Sequence, residues 1–473
     1  MHLHRIWPHL LSITICIVAL VQPNTESGIE QTLWVEERFD DFILAYWAKG
    51  GWKGASSWTG DVLSRLMVSY LSSQGEVANH SKVNEIFAHV VSRSLSAWTL
   101  IQYLTQANDD FGWTVALLLE ILEYTHEYEK RYPDTSSSAR LPILRGRLAF
   151  RAAFLHDLMI ESWTAELCHG GAEWYVRTRR RFVWPSLGVR EIYKNTITNH
   201  LYNGNNAQIY NAYDGAVFPV GVIEIAVHGL RVLGKIIRPL FGGSRGHLRL
   251  FQFADVALLG RATKGINWMD QTDLLTEDSL YVDGIRPRFK QFSPDTSPTV
   301  VCDVRGEAVF TYNQVAGLRA LYFLTQATGK GEFLRNGHHA IQNLIDATIS
   351  GNLGWDGILE ENCDRPGNCS QDMQAFKGVV FLEVQRYCRA ISGDATREIR
   401  AWHVDQCRQY TPWIRTNAAA ARSTIDNKGA FGGYWGIKHV NHSQGGRGRT
   451  IETQFSGLAA QLALSFFEKS FSE

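Results

Sequence analysis

The chain has 473 residues, 45% of them hydrophobic and 20% charged, with 47 basic residues balanced by 47 acidic ones. That is enough apolar material for one large core or for two to three ordinary domains. A formal net charge of zero removes the overall basic field that nucleic acid or an acidic membrane surface would select, so neither is expected as a partner.

The N-terminus, "MHLHRIWPHLLSITICIVALVQPNTESG", has the layout of a secretory signal peptide. A short basic start with Arg5 leads into an apolar run from Leu10 to Val21, followed by small polar residues. The run is too short to span a bilayer. The expected division is a signal over 1–27 and a single domain over 28–473. The other terminus, "LAAQLALSFFEKSFSE", ends in charge and lacks the long apolar tail of a lipid-anchor signal. Secretion without such an anchor is expected. Cys16 lies in the presumed signal; Cys168, Cys302, Cys363, Cys369, Cys388 and Cys407 remain, an even number that points to disulfides. Cys363 and Cys369 are close enough to close a small loop. Asn-X-Ser sequons at Asn79, Asn368 and Asn441 fit a secreted glycoprotein. No Cys/His spacing resembles a zinc site, and neither a metal nor a cofactor is expected.

From residue 28 onward the periodicity is helical nearly throughout. "DVLSRLMVSYLSS" places Val62, Leu63, Leu66, Met67, Tyr70 and Leu71 on one face. The pattern returns at Trp113–Tyr124, "VAGLRALYFLTQATGK", "FLRNGHHAIQNLIDATIS" and "FKGVVFLEVQRYCRAI", with Gly329 where a helix C-cap belongs. Strand-like alternation is rare. "LLGRATKGINWMDQ" and "FLTQATGKGEFLRN" echo one another: each ends a helix in Ala-Thr near a Gly, and an aromatic then opens the next element. Repeated helical hairpins make a solenoid or, if closed, a toroid whose helix ends rim a central cleft. Three stretches fit poorly and read as insertions: 127–153, 176–190 and 203–247. Arg177, Arg179, Arg180 and Arg181 in the second read as a surface loop. The last, with "GAVFPVGVIEIAVHGLRVLGKIIRPLF", is apolar without clear caps and reads as material absent from the mature natural protein, such as a retained intron.

One helix opening stands out. In "LTQANDDFGWTVALLLEILEY", Leu104–Tyr124, two adjacent carboxylates precede an apolar helix. Asn108, Asp109 and Asp110 all suit a helix N-terminus, where short oxygens accept from orphan N–H groups. One carboxylate would suffice for that. The second, repelled by the first, needs another reason, such as a saccharide or metal site.

Several motifs follow in order: "NDDFGW" at 108–113, "CHGGAEWY" at 168–175, "YKNTITNHL" at 193–201, "VDGI" at 282–285, "TYNQ" at 311–314, "GILEENCDRPGNCSQDMQAFKGV" at 357–379, "FGGYWG" at 431–436 and "TQFSGLAAQLAL" at 453–464. From about Trp34 onward this series resembles the glycoside hydrolase family 76 endo-α-1,6-mannanases and their fungal cell-wall relatives acting on glycans of cell-surface anchors. The resemblance implies an all-α fold, an (α/α)6 toroid of helical hairpins. It also implies that Asp109 is the nucleophile and Asp110 the general acid/base of a retaining mechanism, which needs two carboxyl groups about 5–5.5 Å apart. The implied function is a secreted glycosidase, a mannan endo-1,6-α-mannosidase. Its partner would be α-1,6-mannan or another mannose-containing cell-wall glycan, and the protein itself a monomer at the cell surface, in the wall or against a membrane. Alternatives are a transglycosylase acting on anchor glycans in wall remodelling, a non-catalytic mannan-binding protein, and a lyase or epimerase on the same toroid.

Around the pair, Trp113 shares a helical face with Asp109, and Trp174 follows Gly170–Gly171; both are candidates to stack on a sugar. Asn199, Asp283, Tyr312, Asn313 and Gln314 carry the donors and acceptors that sugar hydroxyls need. Lys377 reads as structural. Two departures from the family pattern are His169, where the family has the first of three glycines, and the long segment between "YKNTITNHLY" and "LRLFQFADVALLGRAT".

Overall fold

The computed structural model describes residues 28–48, 51–55, 57–73, 88, 91–92, 107–131, 141–165, 167–174, 192–214, 256–290, 299–436 and 449–471. Its helices are α1 (Gly28–Tyr46), α2 (Ser57–Ser73), α3 (Asn108–Arg131), α4 (Leu141–Ile160), α5 (Thr196–Asp214), α6 (Val256–Gln271), α7 (Leu318–Thr328), α8 (Gly331–Ser350), α9 (Phe376–Tyr387), α10 (Arg397–Arg408), α11 (Thr411–Ser423) and α12 (Ile451–Phe471).

Six of these close a ring. α2 packs on α3, α3 on α5, α5 on α7, α7 on α9, α9 on α12, and α12 returns to α2. The helices between them in sequence lie outside: α4 backs α3, α6 backs α5, α8 backs α7, and α1 and α11 back α12. This is the all-α (α/α)6 toroid. The inner helices open their N-termini at one mouth. Bonds between successive N-termini mark that mouth. Thr59 of α2 donates to Glu452 of α12 at 3.0 Å, and Gly378 N of α9 donates to Ser456 Oγ of α12 at 3.0 Å.

Local chemistry accounts for the elements. The apolar stripe of α2 predicted from its spacing is buried in full, from Val62 to Leu71. Gly329 ends α7 in the left-handed region at φ 66°, its N–H on Thr325 O. Thr396 caps α10 by accepting from Ile399 N, and Pro412 occupies the first turn of α11.

Below the mouth the ring is filled by charge as well as by hydrocarbon. Arg65 of α2, fully buried, bonds Glu120 of α3 and Glu383 of α9 at 2.6 Å each. Glu120 also meets Arg386 at 2.6 Å, and Arg386 reaches Glu123 at 3.3 Å. The Arg65 guanidinium lies 5.3 Å from the centre of the Trp113 ring.

Two expectations change. Residues 127–153 do not interrupt the fold among the described positions: α3 runs on to Arg131, and α4 packs against it through Leu148, Ala152 and Leu155. Residues 203–214 continue α5. The remaining questioned stretches, 176–190 and 215–247, lie outside the described residues, as do 1–27, Asn79 and Asn441. Second, one long hairpin was not anticipated. A short pair, β1 (Trp47–Ala48) and β2 (Gly51–Trp52), follows α1; β4 (Val282–Lys290) pairs antiparallel with β5 (Thr299–Val309), and a two-residue strand β3 (Lys194–Asn195) joins β4 through Lys194↔Ile285 and Asn195↔Gly284. Irregular register between Val282 and Gly284 and between Arg286 and Arg288 breaks the alternation that sequence reading relies on. The six cysteines pair as Cys168–Cys302, Cys363–Cys369 and Cys388–Cys407. Among the described residues, no helix is long and apolar enough to cross a membrane.

Candidate active site

α3 begins at the mouth, and its first residue is pinned. Asn108 N donates to Trp174 O at 2.8 Å, and Asn108 Nδ2 to Glu173 O at 2.6 Å. The next two residues are the paired aspartates. Asp109 accepts from the indole Nε1 of Trp174 at 3.0 Å on both oxygens, from Asn195 Nδ2 at 3.3 Å and from Asp110 N at 3.0 Å. Burial lifts its pKa above the ordinary carboxylate range, while these bonds favour the ion and pull it back. Asp110 has no such set of side-chain donors acting on its pKa. Burial raises it most, and the charges of Asp109, Asp61 and Asp372 raise it further, against a backbone bond at Ala107. Asp61 belongs to the second turn of α2 and accepts from Thr114 Oγ1 of α3, one turn beyond Asp110. Two neighbouring carboxyls thus sit in unlike settings: one ringed by N–H donors, the other by negative charge.

The loop before α5 supplies the donors. Asn195 caps α5, its Oδ1 accepting from Thr198 N, and spends its amide on Asp109. Lys194 is buried. Its ammonium holds Thr164 O and Oγ1, Leu167 O and Gly171 O at 2.8–3.1 Å, and Gly170 O as well. It thereby ties down the loop that ends in Trp174. Gly171 is required there: at φ 86° a Cβ would stand 2.4 Å from the Trp268 ring. His169 has φ 58° and is exposed, which shows why a glycine suits this position and why a histidine is sterically tolerated.

Other candidates divide into mouth and scaffold. Asp283 is half-buried on β4 and accepts from the Tyr193 hydroxyl; burial raises its pKa, and Asn313, fully buried, lies against it. Tyr312 lies flat on Phe376, ring centres 3.9 Å apart and planes 11° apart. Burial and the charges of Asp283 and Asp109 hold its hydroxyl proton far above the ordinary range. Trp113, by contrast, is 2% exposed and sits in the core beneath Trp58, ring centres 6.0 Å apart. A ring with no open face cannot stack on a ligand; half-buried Trp58 is the ring of that stack nearest the mouth. Trp174 offers Asp109 its N–H, which is a different contact from the stacking expected of it. Asn199 is consumed by Ala172 N, Ala172 O and Asn195 O, and Gln314 by Tyr281 N, Tyr281 O and Phe310 O. Both brace loops. Lys377 is structural, bonding Asp364 and Gly433 O. Asn195, Asp61, Asp372, Tyr193 and Trp58 were not singled out in the sequence. Of these, Asn195 was within reach, four residues before Asn199 in the same motif.

Among the described residues, one trio has the donors of a metal site: His338, His403 and Cys407. It does not fit an ion, because Cys407 is bonded to Cys388 and the two imidazoles are engaged with each other, Tyr410 and Tyr387 O.

Residues 248–471 match the sequence model of Glycosyl hydrolase family 76. The matched segment carries Asp283, Tyr312, Asn313, Gln314 and Asp372, while Asp109, Asp110 and Trp174 precede it. Solved structures extend the likeness over nearly the whole chain. Dfg5 from Chaetomium thermophilum, in complex with glucosamine, superposes with a TM-score of 0.61 at 18% identity, covering 93% of this chain and 91% of that one. The GH76A α-1,6-mannanase from Salegentibacter sp. HEL1_6 gives 0.58 at 15% identity, over 93% and 100%. An inactive variant of that mannanase, with two consecutive aspartates changed to alanine and α-1,6-mannotetrose bound, gives 0.57 at 15% identity, over 93% and 99%. At such identities the likeness shows the toroid. Among curated proteins no sequence match is found.

Proposed function

We propose that the protein is a secreted, retaining, endo-acting glycosidase that cleaves α-1,6-mannosidic linkages in fungal-type mannan at the cell surface. One observation carries this: adjacent Asp109 and Asp110 have opposite surroundings. Trp174 and Asn195 favour the ionised form of Asp109, so it attacks the anomeric carbon. Burial and three neighbouring carboxylates keep the proton on Asp110, so it protonates the departing glycosidic oxygen. Asp110, now ionised, then takes a proton from water, which displaces Asp109 from the sugar and releases product. Asp283, Tyr193 and Tyr312 supply hydroxyl-binding groups beside Asp109, and Trp58 an apolar face. The inactive two-aspartate variant of the Salegentibacter mannanase supports giving this role to the pair.

Transfer to another sugar is the second reading, favoured by the likeness to Dfg5 with its bound glucosamine. Both outcomes share the glycosyl-enzyme intermediate. The test is product analysis on linear α-1,6-mannooligosaccharides in ¹⁸O water, beside Asp110→Asn. Shorter, labelled products that fall by roughly 10³-fold in the variant are expected for hydrolysis. Longer, unlabelled products would replace hydrolysis by transfer. Turnover equal in the variant and the parent would overturn the assignment of Asp110.

A further inference from the structure

Trp355 is the one exposed tryptophan among the described residues, with 49% of its surface open. It stands on a two-strand hairpin, β6 (Gly354–Trp355) and β7 (Ile358–Leu359), beyond the C-terminus of α8, on the face where the inner helices open. An exposed indole is ordinarily free to swing. This one is mounted on a clamped backbone. Asn417 of α11 accepts from Leu359 N at 2.8 Å and donates to Gly357 O at 2.9 Å, while Gly357 N donates to Thr348 O at 3.2 Å. The turn Asp356–Gly357 has both residues at positive φ, 52° and 81°.

Polar arms flank the ring. The Arg365 guanidinium lies 5.6 Å from the Trp355 ring centre, and its Nε donates to Glu360 Oε2 at 2.8 Å. Glu360, 4% exposed, also accepts from the Tyr434 hydroxyl at 3.0 Å. The pairing offsets the charge of Arg365, whose guanidinium also bonds the Tyr434 side chain beside the indole. A flat apolar face with fixed donors and no net charge is the complement of a neutral pyranose, which presents C–H bonds on one side and hydroxyls at its rim. The next residue links this platform to the catalytic floor: Glu361 accepts from Thr311 N at 3.1 Å, beside Tyr312.

We propose that Trp355, with Arg365 and the Tyr434–Glu360 pair, forms an outlying subsite for a neutral sugar residue of a long glycan cleaved at Asp109 and Asp110. The subsite rests on the glycosidase reading above and adds that the protein selects for chain length.

The experiment compares kcat/KM for the parent, Trp355→Ala and Trp355→Phe on α-1,6-linked mannobiose to mannohexaose, with melting curves to confirm folding. The long-to-short ratio of kcat/KM is expected to fall about tenfold in Trp355→Ala and to recover in part in Trp355→Phe. An unchanged ratio would overturn the subsite. If the parent turns over none of these sugars, the substrate assignment fails separately. The subsite is then judged by isothermal titration of neutral α-mannose, β-glucose and chitin oligosaccharides into the parent and Trp355→Ala: binding lost in the variant keeps the subsite, and binding that is absent or equal in both removes it.

Discussion

At the scale of single residues, what separates Asp109 from Asp110 is one indole N–H and one amide. Trp174→Phe keeps the ring and removes the donor, so the ionised form of Asp109 loses support and its pKa rises further. The acid limb of kcat/KM is expected to move to higher pH, with kcat down roughly tenfold at neutral pH; an acid limb that stays in place would show that the N–H does not tune Asp109. Asp110 makes the complementary prediction for stability. Its folded-state pKa is raised, so its contribution to stability is fully present below the unfolded carboxylate pKa and is lost as pH rises through the folded value. Asp110→Asn should therefore melt higher than the parent at neutral and alkaline pH, with the gap closing in acid. The paired acid was legible as "NDDFGW", because one cap needs one carboxylate. The fates of Trp113, Asn199 and Gln314 were not. A tryptophan one turn into a helix and an amide in a polar motif look the same in sequence whether they meet ligand or backbone. Only the neighbours decide, and for these three the neighbours are Trp58, Ala172 and Tyr281.

At the scale of elements, the site depends on a loop with little regular structure of its own. The span from Thr164 to Trp174 is held by the Lys194 ammonium, by the Cys168–Cys302 disulfide to β5, and by Trp268 Nε1 donating to Cys168 O at 2.8 Å. Lys194→Met leaves several buried carbonyls without their donor. A loss of roughly 3 kcal/mol or more is expected in chemical denaturation. Because Trp174 ends this loop, the surviving folded protein should also lose kcat; a destabilised variant with full kcat would show that the loop does not position Trp174. The helices were legible in the sequence because their stripes repeat with the helical period. The β4–β5 hairpin was hidden: Gly284, Pro287 and Gly306 interrupt it, and its irregular register blurs the two-residue period. The pairing of Cys168 with Cys302 spans 134 residues, so nothing local could announce it.

At the scale of the whole molecule, periodicity indicated helical hairpins, but closure into a ring depends on contacts between helices far apart in the chain. Arg65 is the plainest of these, a single guanidinium joining α2, α3 and α9. Arg65→Met leaves Glu120 and Glu383 buried without their cation, and a loss of about 3–5 kcal/mol is expected in equilibrium unfolding. A change under 1 kcal/mol would show that Arg386 suffices to neutralise them. The return of α12 to α2 has a further consequence, which concerns synthesis. Gln31 meets Gln461 across 430 positions of sequence, and Thr59 meets Glu452 across 393. A ribosome delivers the first of each pair long before the second. Throughout that interval the growing chain is an open arc whose two unsealed flanks expose the surfaces α12 will cover, so a chaperone that shields apolar helix faces would be needed until the seam is made.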